Sequence, residues 1–326
     1  MEPIPLRTLT VLLAYEKMAT DPRFVDHGLV VSSTADPGVL AAGEMQNPSF
    51  FSSCPRTIIR RSLHQFEQVN DAPSSIESTA ICKVSPNAGP EVKNLTVAQL
   101  DSIYYESLGH NGCYSSISLY QYFFQLCPPD QRISIQIKNE EPVIVDPSTR
   151  QIIEFGIVGP KSWTVVLKDS SPSTLLNGGK DGDAHAILGF PYPGSKFVNA
   201  VVDLSRMQYG EVGRGSFGEF YFMGSYEDYC DSTEKNICTQ LQNRGTANYM
   251  NPSSDLVEEA RLKGCTERVW ERWQNRHKQG WCAHCGKGGK LLKCSGCRQS
   301  QTWYCCKEHQ VAGWKLHKHT CEKAKH

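Results

Sequence analysis

The chain has 326 residues, no formal net charge, 39% hydrophobic residues and 21% charged residues. This length fits one large domain plus a smaller unit, and the composition excludes a wholly disordered protein. No apolar run approaches the ~20 residues of a membrane span, and the N-terminus lacks the basic start of a secretion signal. We therefore expect an intracellular protein of the cytoplasm, the nucleus or both, with no membrane partner.

The first part of the chain is predicted to be helical. Apolar residues recur with helical periodicity in residues 6–19, 55–69, 97–107 and 113–126. Short runs rich in β-branched and aromatic residues follow, a pattern typical of strands. These runs begin at Ile133, Pro142, Ile152, Trp163, Ala184, Phe197 and Glu219. Helices followed by a mostly antiparallel sheet predict an α+β domain over residues 1–230.

The rest of the chain is predicted to hold three further segments. Residues 231–254 are polar and lack apolar periodicity, which indicates a linker or a surface excursion. Residues 255–279 form a predicted charged helix, and residues 280–326 are rich in cysteine. Seven of the 14 cysteines lie between Cys282 and Cys321, and this clustering indicates metal binding rather than a disulfide framework.

The cysteine-rich segment contains four pairs of candidate metal ligands. The pairs are Cys282 and Cys285, Cys294 and Cys297, Cys305 and His309, and His317 and Cys321. In a C-x-x-C pair, one tight turn aims both sulfurs at a single ion, and i, i+4 spacing places two side chains on one helix face. Thiolates with imidazole favour zinc, and four ligands leave no open position. Two structural zinc ions are therefore predicted.

Residues 282–321 resemble a MYND-type zinc finger. The resemblance implies a cross-brace, in which the first and third pairs hold one zinc ion and the second and fourth pairs hold the other. It also implies that the segment binds short, often proline-containing peptides of partner proteins in an apolar groove. By this resemblance, the segment recruits a protein partner rather than performing chemistry.

The segment departs from the usual pattern of that family at two positions. His309 stands where the family usually has cysteine, which leaves the neighbouring Cys306 as an alternative ligand. Gly313 stands where the family usually has aspartate, beside the tryptophan. His284 and His319 lie between ligands, and we expect both side chains to be solvated.

The C-terminal segment is also basic. Residues 277–326 hold ten Lys or Arg against two acids, a net charge of +8. Such a charge could suit nucleic acid, which would make the protein a transcriptional regulator with weak nucleic-acid contact. The basic residues are spread singly, without the stacking aromatics of a single-strand binder, and they offset the charge of the thiolates. The pattern argues against nucleic acid as the main partner.

The α+β domain contains a candidate thiol site. Cys113 begins a predicted helix, where the helix dipole stabilises a thiolate. Downstream, a predicted hairpin centred on Gly194 sets His185 opposite Asp203. The order of a Cys on a helix and a His and an Asp on neighbouring strands resembles papain-like and transglutaminase-like folds, in layout only. The alternatives are a small buried hydrophobic residue at Cys113, a hydrogen-bonded core histidine at His185, and a turn or cap at Asp203.

Two main hypotheses for function therefore remain. The leading one is a zinc-binding adaptor or regulatory protein whose finger binds a partner protein. The second is a thiol-dependent hydrolase or acyltransferase that uses Cys113, His185 and Asp203 and is targeted by the finger. The oligomeric state is not indicated by the sequence.

Overall fold

The computed structural model describes residues 1–46, 55–69, 80–109, 112–138, 140–168, 174–178, 180–251, 255–297 and 302–321. The helices are α1 (Leu6–Ala19), α2 (Gly38–Gln46), α3 (Pro90–Lys93), α4 (Val97–Leu108), α5 (Gly112–Leu126), α6 (Tyr226–Asn236), α7 (Leu256–Gln274) and α8 (Lys307–His317). The strands are β1 (Ile4–Pro5), β2 (His27–Ser32), β3 (Arg60–Gln68), β4 (Ile133–Ile135), β5 (Val143–Val145), β6 (Gln151–Val158), β7 (Ser162–Lys168), β8 (Thr174–Gly178), β9 (Asp183–Pro191), β10 (Val198–Asp203), β11 (Phe222–Ser225), β12 (Gln240–Ala247), β13 (Leu292–Lys293) and β14 (Trp303–Tyr304). Within these ranges no helix is long and apolar enough to cross a lipid bilayer.

Three sheets and the helices packed on them form the main body of the protein. The largest sheet has the order β11-β10-β9-β6-β12 and is antiparallel throughout. A second sheet, β2-β3-β7-β8, contains one parallel pair, β3 with β7. A third sheet, β1-β4-β5, pairs β1 with β4 in parallel. The predicted α+β class with a mostly antiparallel sheet is confirmed, and three of the four predicted helices correspond to α1, α4 and α5.

The core lies between the large sheet and the helices α1, α4, α5 and α7. Aromatic contacts join the layers: Tyr105 of α4 stacks on Phe220 with ring centroids 4.4 Å apart, and Phe124 of α5 meets Phe190 of β9 edge-on. The helix α4 begins where Thr96 and Gln99 form a capping box, which satisfies backbone N–H groups that the first turn leaves free. These contacts hold α4 and α5 in place, and α5 carries the candidate thiol Cys113.

The helix predicted over residues 55–69 is wrong, because Arg60–Gln68 is the strand β3. This strand lies between β2 and β7 and is covered on both faces. Leu63 packs into one apolar cluster, whereas Phe66, three residues later, packs into the main core. In a strand that is buried on both faces, apolar residues can lie three positions apart. This spacing resembles the periodicity of a helix, which explains the wrong prediction.

The linker predicted over residues 231–254 is also wrong. The helix α6 runs to Asn236, and β12 then pairs with β6 along its whole length as the edge of the large sheet. The side chains of β12 are almost all exposed and polar, so backbone hydrogen bonds hold it and no apolar period marks it. Residues 252–254 lie outside the described residues.

The predicted charged helix is α7, and it belongs to the core of the α+β unit. Leu262, Cys265 and Val269 are buried in the same apolar cluster as α1 and α5. Beside this apolar contact, α1 and α7 are also joined by ion pairs. The carboxylate of Glu16 in α1 accepts hydrogen bonds from Arg268 and Arg272 of α7 at 2.7 and 3.1 Å. The helix therefore closes the main body rather than separating it from the cysteine-rich segment.

Candidate zinc centres and thiol site

Two groups of four Cys and His side chains converge in the C-terminal segment. The first contains Cys282, Cys285, Cys305 and His309, and the second contains Cys294, Cys297, His317 and Cys321. In each group the four ligand atoms lie within 4.8 Å of one another. The four sequence pairs interleave, as the resemblance to the finger implies. Local structure explains this arrangement, since β13 and β14 pair in antiparallel fashion, and Cys305 precedes α8 whereas His309 and His317 lie on it.

The spacing of the atoms fits a tetrahedral zinc ion. Ligands about 2.3 Å (sulfur) or 2.0 Å (nitrogen) from zinc in a tetrahedron are roughly 3.5–3.8 Å apart. Cys285 Sγ and Cys305 Sγ are 3.7 Å apart, and Cys297 Sγ and Cys321 Sγ are 3.8 Å apart. A disulfide would need about 2.05 Å, so these thiols are separate. The two groups suit two zinc ions, and zinc would supply folding free energy to a segment with little apolar core.

The residues between the ligands have structural roles. Cys306 lies outside both groups and caps α8, because its sulfur accepts the backbone N–H of His309 at 3.4 Å. The helix runs through Gly313, where a Cβ would lie 2.7 Å from the ring of the buried Tyr304. The small residue is therefore required by the packing of β14 on α8.

The expectation that both bystander histidines are solvated is wrong for one of them. His319 is exposed, but His284 is buried, with its ring 5.0 Å from Phe220 and 4.9 Å from His309. Burial and the neighbouring His309 lower the pKa of His284 to about 3. Its spacing between ligands gave no hint of burial, because the residues that cover it come from the α+β unit.

The profile of the MYND finger family matches residues 282–321. This segment is a MYND finger, and fingers of this class generally mediate protein–protein interaction. Over 42 residues the chain is 55% identical to Egl nine homolog 1 of Homo sapiens and 52% identical to Egl nine homolog 1 of Mus musculus. These matches cover 13% of this chain and only 9% and 10% of those two proteins, so the similarity concerns the finger alone. No solved structure matches the chain.

The second candidate site lies where α5 meets the large sheet. Cys113 is the second residue of α5, His185 lies on β9 and Asp203 ends β10. Their side chains are buried, with 4%, 1% and 1% of their surfaces exposed. His185 Nε2 is 2.7 Å from Asp203 Oδ2, and Cys113 lies near enough to His185 to contribute to the pKa of its imidazole. The structure thus brings together the three residues selected from the sequence.

The strand register that brings them together differs from the predicted one. Val202 lies opposite Leu188, two residues from the predicted partner Ala186. One residue of this shift comes from a bulge between Val198 and Ala200. Because side chains alternate along a strand, a shift of two keeps His185 and Asp203 on the same face of the sheet as diagonal neighbours.

The carboxylate of Asp203 is held by several donors. Besides His185, Oδ2 accepts a hydrogen bond from the hydroxyl of Tyr229 at 3.0 Å, and Oδ1 accepts from both the amide and the hydroxyl of Ser205. Burial acts to raise the pKa of Asp203, but His185, Arg206 and these hydrogen bonds outweigh it and lower the pKa. Asp203 therefore contacts His185 and also caps the turn at Ser205. Both roles were considered for this residue from the sequence.

The imidazole of His185 is stabilised in its charged form. Burial opposes protonation, but the attraction and hydrogen bond of Asp203, with a contribution from Cys113, raise the pKa of His185 to about 10. The amide Nε2 of Gln208 lies 2.9 Å from Nδ1 of the same ring. When Nδ1 carries a proton it needs an acceptor, and the amide oxygen of Gln208 supplies one in the flipped orientation of that side chain.

Two residues of this site were missed by the sequence reasoning. Lys17 of α1 is buried, and its Nζ donates hydrogen bonds to the carbonyl of Gly112 and the hydroxyl of Ser116, on the first turn of α5. Burial lowers the pKa of Lys17 to about 8. Its position four residues after Leu13 could have indicated a buried face of α1. Gln208 follows Asp203 in an irregular segment, and no local pattern could have placed it against His185.

Proposed function

We propose that the eight convergent side chains hold two zinc ions and that the finger recruits a partner protein through a cleft shared with the α+β unit. On this proposal the chain consists of an α+β unit of residues 1–279 and a finger of residues 280–326. The observation that carries the proposal is a cavity of about 390 Å³ lined by both parts. A peptide bound there would contact the finger and the main body together.

The lining of this cleft suits a short apolar peptide. Val11, Tyr221 and Met223 contribute from the α+β unit, and Trp281, Tyr304 and Leu316 contribute from the finger. A groove of aromatic and aliphatic side chains favours an extended, proline-containing segment, which loses little conformational entropy on binding. The ion pair of Arg7 and Glu219 also lines the cleft and offers a polar contact for the peptide backbone.

Peptide binding to the zinc-loaded chain tests the proposal. Proline-containing peptides would be selected from a display library on the full chain, and their Kd values measured by fluorescence polarisation. We expect Leu316→Glu, which places a charge in the cleft, to weaken binding at least about tenfold. Val311→Glu is the matched control, because Val311 lies on the same helix, is 65% exposed and does not line the cleft. Equal Kd values for both variants, or no selected peptide, would contradict the proposal.

The second candidate function is thiol-dependent acyl transfer at Cys113, and the pair of His185 and Asp203 is the observation that favours it. In this mechanism the thiolate of Cys113 attacks the carbonyl carbon of an acyl donor. The bond to the amine or alcohol leaving group breaks, the leaving group takes the proton of His185, and a thioester remains. Water or an acceptor amine then attacks the thioester, His185 takes its proton, and cleavage of the carbon–sulfur bond restores the thiolate.

Selective alkylation tests this second function. The zinc-loaded protein would be treated with limiting iodoacetamide at mildly acidic pH, and the modified cysteines mapped by mass spectrometry. An activated thiol reacts quickly under these conditions, whereas zinc-bound thiolates are shielded. We expect Cys113 to be labelled in the wild type and much less in His185→Ala. Slow labelling of Cys113 in both proteins would mean that the α+β unit is a scaffold for the finger.

A further inference from the structure

The finger touches the α+β unit through one of its own zinc ligands. The Nδ1 atom of His309 lies 3.0 Å from Cys305 Sγ and 3.7 Å from Cys282 Sγ, so this nitrogen faces the first ligand group. The other ring nitrogen, Nε2, points out of the finger and lies 3.2 Å from Asp101 Oδ2. Asp101 lies on α4 of the α+β unit. Neither side chain is exposed to solvent.

A hydrogen bond within the α+β unit also holds the carboxylate of Asp101. Its Oδ1 accepts the backbone N–H of Ile81 at 2.8 Å. Within the described part of the chain, neither Asp101 Oδ2 nor His309 Nε2 meets hydrogen-bond geometry with any partner, and the two atoms are 3.2 Å apart. A buried carboxylate oxygen or ring N–H without a partner is costly, so each of these atoms is the available partner of the other.

Other contacts hold the two parts in the same relative position. The carboxylate of Glu308 accepts the backbone N–H of Ala98 at 3.2 Å, at the start of α4. The carbonyl of Gly286 accepts a hydrogen bond from Arg272 of α7. Gly286 has a φ of +83°, and a Cβ at this position would lie 2.6 Å from the carbonyl oxygen of Val11 in α1. The part of the finger that contains the first group of ligands therefore packs directly against α1, α4 and α7.

We propose that Asp101 is a positioning residue for the first zinc site. It accepts the Nε2 proton of His309, which leaves Nδ1 free to bind the metal and fixes the orientation of the ring. This role explains why histidine serves at position 309, since a cysteine thiolate could bind zinc but has no second donor to reach Asp101. The zinc ion, His309, Asp101 and α4 form one continuous link, so that binding of this ion stabilises the α+β unit as well as the finger.

This inference rests on the proposed zinc ligands, and zinc release can test the two separately. The zinc content of the full chain, two ions or fewer, tests the ligand assignment. The rate at which a chelating dye removes zinc from wild type and Asp101→Asn tests the inference. We expect Asp101→Asn to release one of its two ions about 10 to 100 times faster and the other at the wild-type rate. Asp21→Asn, which removes the charge of a buried acid paired with Arg23 in the α+β unit, is the control for general destabilisation and should release both ions at the wild-type rates.

A second variant keeps the inference testable if Asp101→Asn does not fold. His309→Cys preserves four metal ligands but removes the link to α4. We expect chelation to lower the melting temperature of the sheet signal in the wild type, measured by circular dichroism, and to lower it less in His309→Cys. Two results would overturn the inference: unchanged zinc release from folded Asp101→Asn, or equal effects of chelation on the sheets of wild type and His309→Cys.

Discussion

The substitution Asp203→Asn tests whether the buried cluster around Cys113 activates the thiol. In the wild type, Asp203 is the main reason that the pKa of His185 rises to about 10 despite burial. An asparagine removes the negative charge and leaves burial, which opposes protonation, so the pKa of His185 should fall below its usual value near 6.5. The imidazolium that would stabilise a thiolate at Cys113 is then lost at neutral pH.

The size of the effect follows from the thiolate fraction. A thiol with an ordinary pKa near 8.5 is about 1% ionised at pH 6.5, whereas a thiol paired with an imidazolium can be almost fully ionised. The rate of alkylation of Cys113 at pH 6.5 should therefore fall by up to about 100-fold in Asp203→Asn. The difference should shrink towards pH 9, because the alkylation of thiols that lack an imidazolium partner rises steeply with pH.

The assay is the pH profile of iodoacetamide labelling at Cys113, measured by mass spectrometry between pH 5 and 9 in both proteins. Cys113 is equally covered in the two proteins, so limited access cancels in the ratio of rates. Parallel profiles for the wild type and Asp203→Asn would refute the reasoning and leave Cys113 as a buried structural residue. Labelling of zinc ligands, monitored in the same samples, shows whether the finger has stayed intact.

The other predictions concern stability. Because the folded pKa of His185 is raised to about 10, its contribution to stability is fully present below pH 6.5 and is lost as the pH rises towards 10. The lowered pKa of Asp203 contributes stability above the usual carboxyl range and loses it on acidification. We expect the free energy of unfolding of zinc-saturated protein, measured by urea titration, to fall by up to about 1.4 kcal/mol per pH unit above pH 6.5, and this slope should be absent in Asp203→Asn. In the finger, Gly313→Ala should destabilise by about 1–3 kcal/mol, because its Cβ would press on the buried Tyr304. The control Gly264→Ala in α7, where the nearest atom is a flexible arginine nitrogen at 3.4 Å, should stabilise by about 0.5–1 kcal/mol. If Gly313→Ala instead raises the melting temperature, the contact between β14 and α8 has room for an additional methyl group, and the reasoning is wrong.

The parts that could be predicted from the sequence are those encoded locally. The two ligands of each pair in the finger are three or four positions apart, so their spacing alone indicates a metal site. The helices α1, α4 and α5 are buried over most of their residues, and apolar side chains recur in them with helical periodicity. By contrast, β3 is buried on both faces and β12 on neither, so the alternation typical of a strand is absent in both.

The parts that could not be predicted depend on contacts between distant segments. Nothing near Asp101 suggests a metal site, and its role becomes visible only when α4 meets α8. Gln208 and Lys17 reach the thiol site from different elements, for the same reason. The pairing of His185 with Asp203 could be predicted because a short hairpin loop restricts the register of its two strands. The observed register differs from the predicted one by two residues, and a shift of two leaves both side chains on the same face of the sheet.

The helix α4 gives the two candidate sites a physical connection. Asp101, near its first turn, faces the zinc ligand His309, and the helix ends at Leu108, five residues before Cys113. At this end Gly109 packs against Gln208 so closely that a Cβ would overlap its side chain, and Gln208 in turn contacts His185. A rigid helix transmits a displacement at one end to the other over about 10 Å. On the proposals above, zinc at the first site would be coupled through α4 and Gln208 to His185, so that the finger and the thiol site would be parts of one folded unit rather than two linked modules.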